Sequence, residues 1–196
     1  MEIMNKKLKI AIFISGRGSN MEAIINASKS NDFPAEISLV LSNKPKALGL
    51  ETAKLNNIPT AIVNHKDFDN KQDFENSILE ILTNYPVDLI CLAGFMRILS
   101  ADFLNNYPDK VINIHPSLLP KFKGLNTHKR AIEAKETESG CTVHYVIAEM
   151  DAGPIILQKS VPISKNENEE TLQAKILEQE HKAYPEAIIK IASKNN

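Results

Sequence analysis

Only two cysteines occur in the 196 residues, and neither stands in a C-x-x-C pair or beside a histidine cluster. That scarcity excludes a disulfide-stapled scaffold and a cysteine-ligated metal centre. Cys91 and Cys141 each lie in an apolar, strand-like run, where a free cysteine reads as a buried thiol of a reducing compartment. An excess of one charge is missing as well. The 23 Lys and Arg against 24 Asp and Glu leave a net charge of −1, too little to draw in nucleic acid or an anionic membrane surface. No apolar run is long enough to span a membrane. The charged start MEIMNKK leads into a short run that contains Lys9 and then into SGRGSN, without the small-residue cleavage site of a secretory signal. Repeats, low-complexity tracts and Pro/Gly/Ser linkers are absent too. The length suits one domain over 1–196, with the cytoplasm as the expected compartment.

What is present is a beat of strand-length apolar runs and helix-period segments. LKIAIFI (8–14), EISLVL (36–41), TAIV (60–63), VDLICLA (87–93) and KVINI (110–114) alternate with amphipathic stretches, one of them a helix from about 71 to 84. Such alternation predicts right-handed βαβ crossovers and a doubly wound, mostly parallel α/β sheet covered on both faces. GCTVHYVI (140–147) and PIILQKSVPI (154–163) follow with only the turn MDAG between them, which predicts a C-terminal antiparallel hairpin. The chain then closes with a helix from about 168 to 192, capped by Asn168, with Glu169 and Glu170 at its positive end and a kink or break expected at Pro185.

Two places carry chemistry. In the first, strand 8–14 runs into SGRGSN and then a helix, the position where a first βα turn offers backbone N–H groups to an anion. The third glycine of a dinucleotide fingerprint is replaced by Met21, and no Walker lysine follows, so a nicotinamide site and a P-loop are both disfavoured. Two readings stay open: a tight turn with Asn20 as helix cap, or a site for the monophosphate of a small substrate. In the second, side chains alternate along VINIH, so Asn113 and His115 share a face, roughly 7 Å apart, while Ile112 and Ile114 face the other layer. Pro116 ends the strand there, at the carboxyl end where open α/β sheets bind ligands. An amide and an imidazolium suit the oxyanion of acyl transfer. A carboxylate is needed to keep the imidazole charged. Asp151 in MDAGP is the candidate, although an Asp in a turn also caps its own backbone. Ser117 reads as a turn residue, and His144 as a structural histidine with a supporting role open. His65, His128 and His181 show no metal-like spacing. Lys121, Lys123, Lys129 and Arg130 form a basic patch on a solvated face that could aid anionic ligands.

Taken together, ISGRGSN, AGFMRIL (93–99), NIHPSLLPKFKG (113–124) and GCTVHYVIAEMDAGPIILQ (140–158) resemble the folate-dependent formyltransferase family, and within it the phosphoribosylglycinamide formyltransferases. The resemblance implies a Rossmann-like formyltransferase fold, with 1–105 as a phosphate-binding half and 106–196 as a folate and catalytic half. It implies 10-formyltetrahydrofolate as cosubstrate, glycinamide ribonucleotide as acceptor, no metal, and a monomer or homodimer. Asn113, His115 and Asp151 match the catalytic residues; Gly18, Ser19 and Asn20 the substrate-phosphate loop; Glu180 a carboxylate on the ribose hydroxyls. Met96, Arg97, Ile98 and Leu99 match the segment that lines the pterin pocket, mainly through backbone, and Asn113 also reaches the folate. Lys71 stands where relatives often carry a folate-side arginine, whose planar fork a lysine does not reproduce, and Leu177 replaces a polar residue by the ribose. Other formyl-folate users, a methionyl-tRNA formyltransferase or a formyltetrahydrofolate deformylase, are the alternatives. Both usually carry a further domain for which this chain has no space.

Overall fold

The computed structural model describes residues 7–194; the first six residues of the charged start, read above for a secretory signature, lie outside it. Seven strands, β1 (Leu8–Ile14), β2 (Ala35–Ser42), β3 (Thr60–Ile62), β4 (Leu89–Leu92), β5 (Val111–His115), β6 (Glu138–Tyr145) and β7 (Ile155–Pro162), make one sheet in the order β3-β2-β1-β4-β5-β6-β7. The first five run parallel, and β6 and β7 add on antiparallel, as the run-and-helix beat predicts. Helices α1 (Ser19–Ser28), α2 (Gly49–Leu55), α3 (Lys71–Leu82), α4 (Ala101–Asn105), α5 (Thr127–Glu133) and α6 (Glu169–Ala192) connect or close them. None among the described residues is long and apolar enough to cross a membrane.

Strand alternation sorts the core into two layers. Ile10, Ile12 and Ile14 of β1, with Cys91, Ile112, Ile114, Cys141 and Val143, pack against Met21 and Ile24 of α1, Leu50 of α2, Ala131 of α5 and the apolar side of α6. Ala11 and Phe13, with Leu39, Leu41, Ile90 and Leu92, pack against Phe74 and Ile78 of α3 and Phe103 of α4. To this second layer β5 contributes only Val111. Further along the same face, β5 and β6 present polar side chains instead. Both cysteines are free and buried; burial pushes the Cys91 thiol well up and that of Cys141 up to about 12.

Three expectations need correction. Pro185 does not break the last helix: α6 runs unbroken for 24 residues through it. An internal proline costs about 3 kcal/mol, but Ala183, Tyr184, Ala187 and Ile188 on either side of it are fully buried. The Tyr184 hydroxyl also donates to the Leu92 carbonyl at 2.9 Å, so tertiary packing holds both halves in register. The Asn168 cap does form, as a capping box with Thr171. The hairpin turn is wider than MDAG. The strands close where the Tyr145 N–H donates to the Pro154 carbonyl at 2.9 Å, and 146–153 form a loop between. Asn20 is no helix cap either, since Gly18, left-handed at φ 76, holds that position and Asn20 is buried as the second residue of the helix.

Gly140 leaves no room for a side chain between β6 and β7: a Cβ there would lie 2.0 Å from the Lys159 carbonyl oxygen and 2.9 Å from the Ser160 Cα. Since backbone on both sides must then move, Gly140→Ala is expected to destabilise the protein by about 2–3 kcal/mol, read as a lower denaturant midpoint with an unchanged slope.

Candidate active site

Pairing across the sheet assembles the central group. Phe13, Leu92, Asn113 and His144 lie opposite one another in successive strands, forming one rung through β1, β4, β5 and β6. One step along, His115 pairs with Thr142. Asn113 and His115 therefore share their face with Thr142 and His144, while Ile112, Ile114, Cys141 and Val143 enter the opposite core layer. The alternation rule pairs Asn113 with His115 and leaves His144 a structural histidine with a supporting role open; the antiparallel register, which no local pattern carries, places its ring beside the Asn113 amide.

The 146–153 loop brings Asp151 back over this face. Asp151 Oδ2 lies 3.4 Å from His115 Nδ1, Oδ1 lies 3.7 Å from His144 Nε2, and Oδ2 also accepts the Gly124 N–H at 2.9 Å. On the other side of the ring, His115 Nε2 is 3.0 Å from the Phe122 carbonyl oxygen. Carbonyl and carboxylate oxygens only accept, so an acceptor oxygen faces each nitrogen of the ring. His115 is buried, and Asn113 is half-buried. Phe122 and Asp151 both adopt left-handed backbone, φ 57 and 50, which is uncommon for a phenylalanine. That geometry aims the Phe122 carbonyl and the Asp151 carboxylate at the imidazole.

His144 behaves differently. Burial pushes its pKa down, against the opposing influence of the Tyr145 carbonyl and Asp151, so the ring stays neutral. Its Nδ1–H donates to the Tyr145 carbonyl at 2.8 Å, which leaves Nε2 to accept from the Asn113 Nδ2 at 3.4 Å. One N–H of the Asn113 amide is thereby oriented, and the other remains for a ligand. Thr142 braces the turn after β5: its hydroxyl donates to the Ser117 carbonyl at 2.6 Å and accepts the Leu119 N–H at 3.0 Å. Ser117 is the turn residue expected, its hydroxyl donating to the Lys121 carbonyl at 2.7 Å.

The glycine loop lies at the carboxyl end of β1, two strands from β5 and so roughly 10 Å away at the strand spacing. Gly18 and Ser19 open α1, whose first-turn N–H groups have no intrahelical partner. Asn20 Nδ2 donates to Glu180 Oε2 at 2.7 Å, joining two residues 160 positions apart, and the Asn20 Oδ1 is buried without a hydrogen-bond partner. An orphaned acceptor beside a buried carboxylate suits a ligand's hydroxyl groups. The segment after β4 adjoins the loop: the Ser15 N–H donates to the Gly94 carbonyl at 3.1 Å. Met96 and Ile98 are 65% and 62% exposed, Arg97 is exposed, and Leu99 is buried in the core, so Leu99 offers a ligand only backbone. Lys71, the first residue of α3, has its Nζ 3.8 Å from Glu75 Oε1. Leu177 is half-buried on α6.

The basic patch does not survive as a free field. Lys121, Lys123 and Lys129 pair with Glu136, Glu149 and Glu133, and the Arg130 guanidinium lies 5.4 Å over the Phe122 ring. A cavity of about 720 Å³ opens at the other end of the strands, beside Leu8, Pro34, Asp88 and Asp109, and shares only Tyr145 with the site residues above.

A model of the formyl transferase family matches residues 8–188. The phosphoribosylglycinamide formyltransferase of Haemophilus influenzae is 48% identical over 177 residues, covering 90% of this chain and 84% of that protein. The trifunctional purine biosynthetic protein adenosine-3 of Gallus gallus is 46% identical over 192 residues, 98% of this chain but 19% of that protein. The chain thus spans about a fifth of the length of the trifunctional relatives it matches. Among solved structures, the phosphoribosylglycinamide formyltransferase from Brucella melitensis superposes with a TM-score of 0.92 at 48% identity, covering 95% of this chain and 96% of that one. Glycinamide ribonucleotide transformylase 1 from Symbiobacterium toebii gives a TM-score of 0.95 at 37% identity, covering 99% and 92%.

Glu180 is a carboxylate held at a cost. Burial raises its pKa above the ordinary 4.5, only partly offset by the Asn20 hydrogen bond. An acid whose folded value is raised supports folding fully below its unfolded value and loses that support as pH rises through the folded value. Glu180→Gln is therefore expected to raise the melting temperature at pH 7 by about 2–4 °C, the shift that 1 kcal/mol produces at this size. Thermal scans across pH should find the gain gone below the ordinary carboxyl value.

Proposed function

The chain belongs to the formyl transferase family, and from that membership we propose that it moves the formyl group of 10-formyltetrahydrofolate to the amine of glycinamide ribonucleotide, in purine biosynthesis. The observation that carries the reading is the constellation of Asn113, His115, Asp151 and a neutral His144 at the carboxyl end of β5, roughly two strands from a glycine loop suited to a phosphate. Gly18, Ser19 and Asn20 hold the ribonucleotide phosphate, and Glu180 accepts from its ribose hydroxyls. The backbone of Met96, Arg97, Ile98 and Leu99 lines the pterin, and Lys71 lies at the folate side.

The reaction forms one bond and breaks one. The amine attacks the formyl carbon, a C–N bond forms, and the carbonyl oxygen becomes an oxyanion. The free N–H of Asn113 donates to that oxygen, and the His115 imidazolium, held between Asp151 and the Phe122 carbonyl, stabilises its charge. The bond from the formyl carbon to the folate nitrogen then breaks. The proton lost by the amine reaches the departing nitrogen through His115 and Asp151, with water as carrier. The enzyme works on these two small molecules in the cytoplasm, as a monomer or homodimer, and the near-zero net charge suits it to no polyanion.

Purified protein supplied with both substrates should yield formylated ribonucleotide and tetrahydrofolate; absence of transfer overturns the proposal, and formate release without acceptor would replace it with a deformylase. His115→Ala is expected to lower kcat by about 10²–10⁴, and Asn113→Ala by about 10²–10³. Both should leave the melting temperature close to that of the parent, so that lost chemistry is separated from lost fold.

A further inference from the structure

The segment between β4 and α4 has no regular structure of its own, yet two residues that no binding role covers hold it in place. Ser15 stands at the start of the glycine loop, but its side chain turns away from it: only 4% exposed, its hydroxyl donates to Asn43 Oδ1 at 2.5 Å and accepts the Met96 N–H at 2.7 Å. Both of its hydrogen-bonding directions are used within the protein, and a phosphate would find neither free. At the far end of the segment, the buried Glu75 of α3 accepts the Ser100 N–H on Oε1 at 2.8 Å, and its Oε2 accepts from the Ser100 hydroxyl. Phe95 and Leu99 are buried in between. The backbone is thus tied at Gly94, Met96 and Ser100, and the side chains that remain free are Met96, Arg97 and Ile98.

A carboxylate buried at 4% exposure costs free energy unless its oxygens are satisfied; here both bond Ser100, and Lys71 Nζ lies 3.8 Å from Oε1. The ties from Ser15 and Glu75 converge on one short stretch whose backbone is fixed and whose exposed side chains are the apolar Met96 and Ile98 with Arg97 between them. We propose that Ser15 and Glu75 are positioning residues that set this stretch as the wall for the one-carbon donor, so that a member of the phosphate loop governs the other substrate. The inference rests on the function proposed above.

Ser15→Ala removes one oxygen and is the primary test. It is expected to raise KM for 10-formyltetrahydrofolate by roughly threefold to tenfold, the size of one lost hydrogen bond, and to leave KM for glycinamide ribonucleotide within about twofold. Glu75→Ala should shift the same constant, and Glu75→Gln, which keeps an acceptor for the Ser100 N–H, should restore most of it. Equal change in both KM values, a change confined to the ribonucleotide, or no change in either overturns the assignment. Hydrogen exchange on the ligand-free protein gives an activity-independent readout: the Met96 amide should lose protection in Ser15→Ala, and the Ser100 amide in Glu75→Ala, while β1 and β5 keep theirs. Retained protection overturns the proposal even where the parent enzyme turns over. If the parent transfers no formyl group, the function above fails and the donor-wall role fails with it, while exchange still reads separately whether Ser15 and Glu75 fix the segment.

Discussion

The antiparallel join between β5 and β6 is the constraint on which the active-site geometry depends. A parallel strand in that place would need a crossover helix, which would cover the face that now stays open. Because β6 returns directly alongside, Asn113 faces His144 and His115 faces Thr142, with directly opposite residues about 4.5–5.5 Å apart at the Cα atoms. Everything polar in the centre follows from that register. A slip of one residue would send His144 and Thr142 into the layer of Cys141 and Val143 and bring apolar side chains to the amide.

Two imidazoles share one carboxylate, and their surroundings separate them. His115 lies between Asp151 and a carbonyl, oxygens on both sides, whereas burial holds His144 neutral and makes it an acceptor. Neighbouring residues of the same chemical type are thus set apart, one with an acceptor oxygen at each ring nitrogen and the other a neutral orienting group. The division is made by a loop rather than by the sheet: the 146–153 excursion carries Asp151, and left-handed backbone at Asp151 and Phe122 sets the angles.

Much of this is legible in the order of residues because β-structure has a short period. Seven apolar runs match seven strands, and Asn113 and His115 need only the alternation rule and a proline after them. Asp151 is nameable as a carboxylate in a turn, but its path is not, since MDAG reads as a tight hairpin while Tyr145 and Pro154 close a wider loop. Asn20 and Glu180 are reached through resemblance, because a contact across 160 positions leaves no local pattern. Pro185 shows local propensity outweighed by burial, and His144 shows a role that exists only once strands are paired. The basic patch fails for a related reason: its glutamate partners lie 15 and 26 positions away for Lys121 and Lys123. Ser15 opens the glycine loop and Glu75 lies in a helix, but no local pattern shows what either side chain holds until the chain brings Met96 and Ser100 to them.

The two thiols bear on selectivity. A formyl donor is an electrophile, and a sulfur anion is among the strongest nucleophiles a protein can offer. Cys91 and Cys141 are walled into the core layer opposite Asn113, with their ionisation suppressed by burial. In the transfer proposed above, neither thiol would compete with the incoming amine for the one-carbon unit.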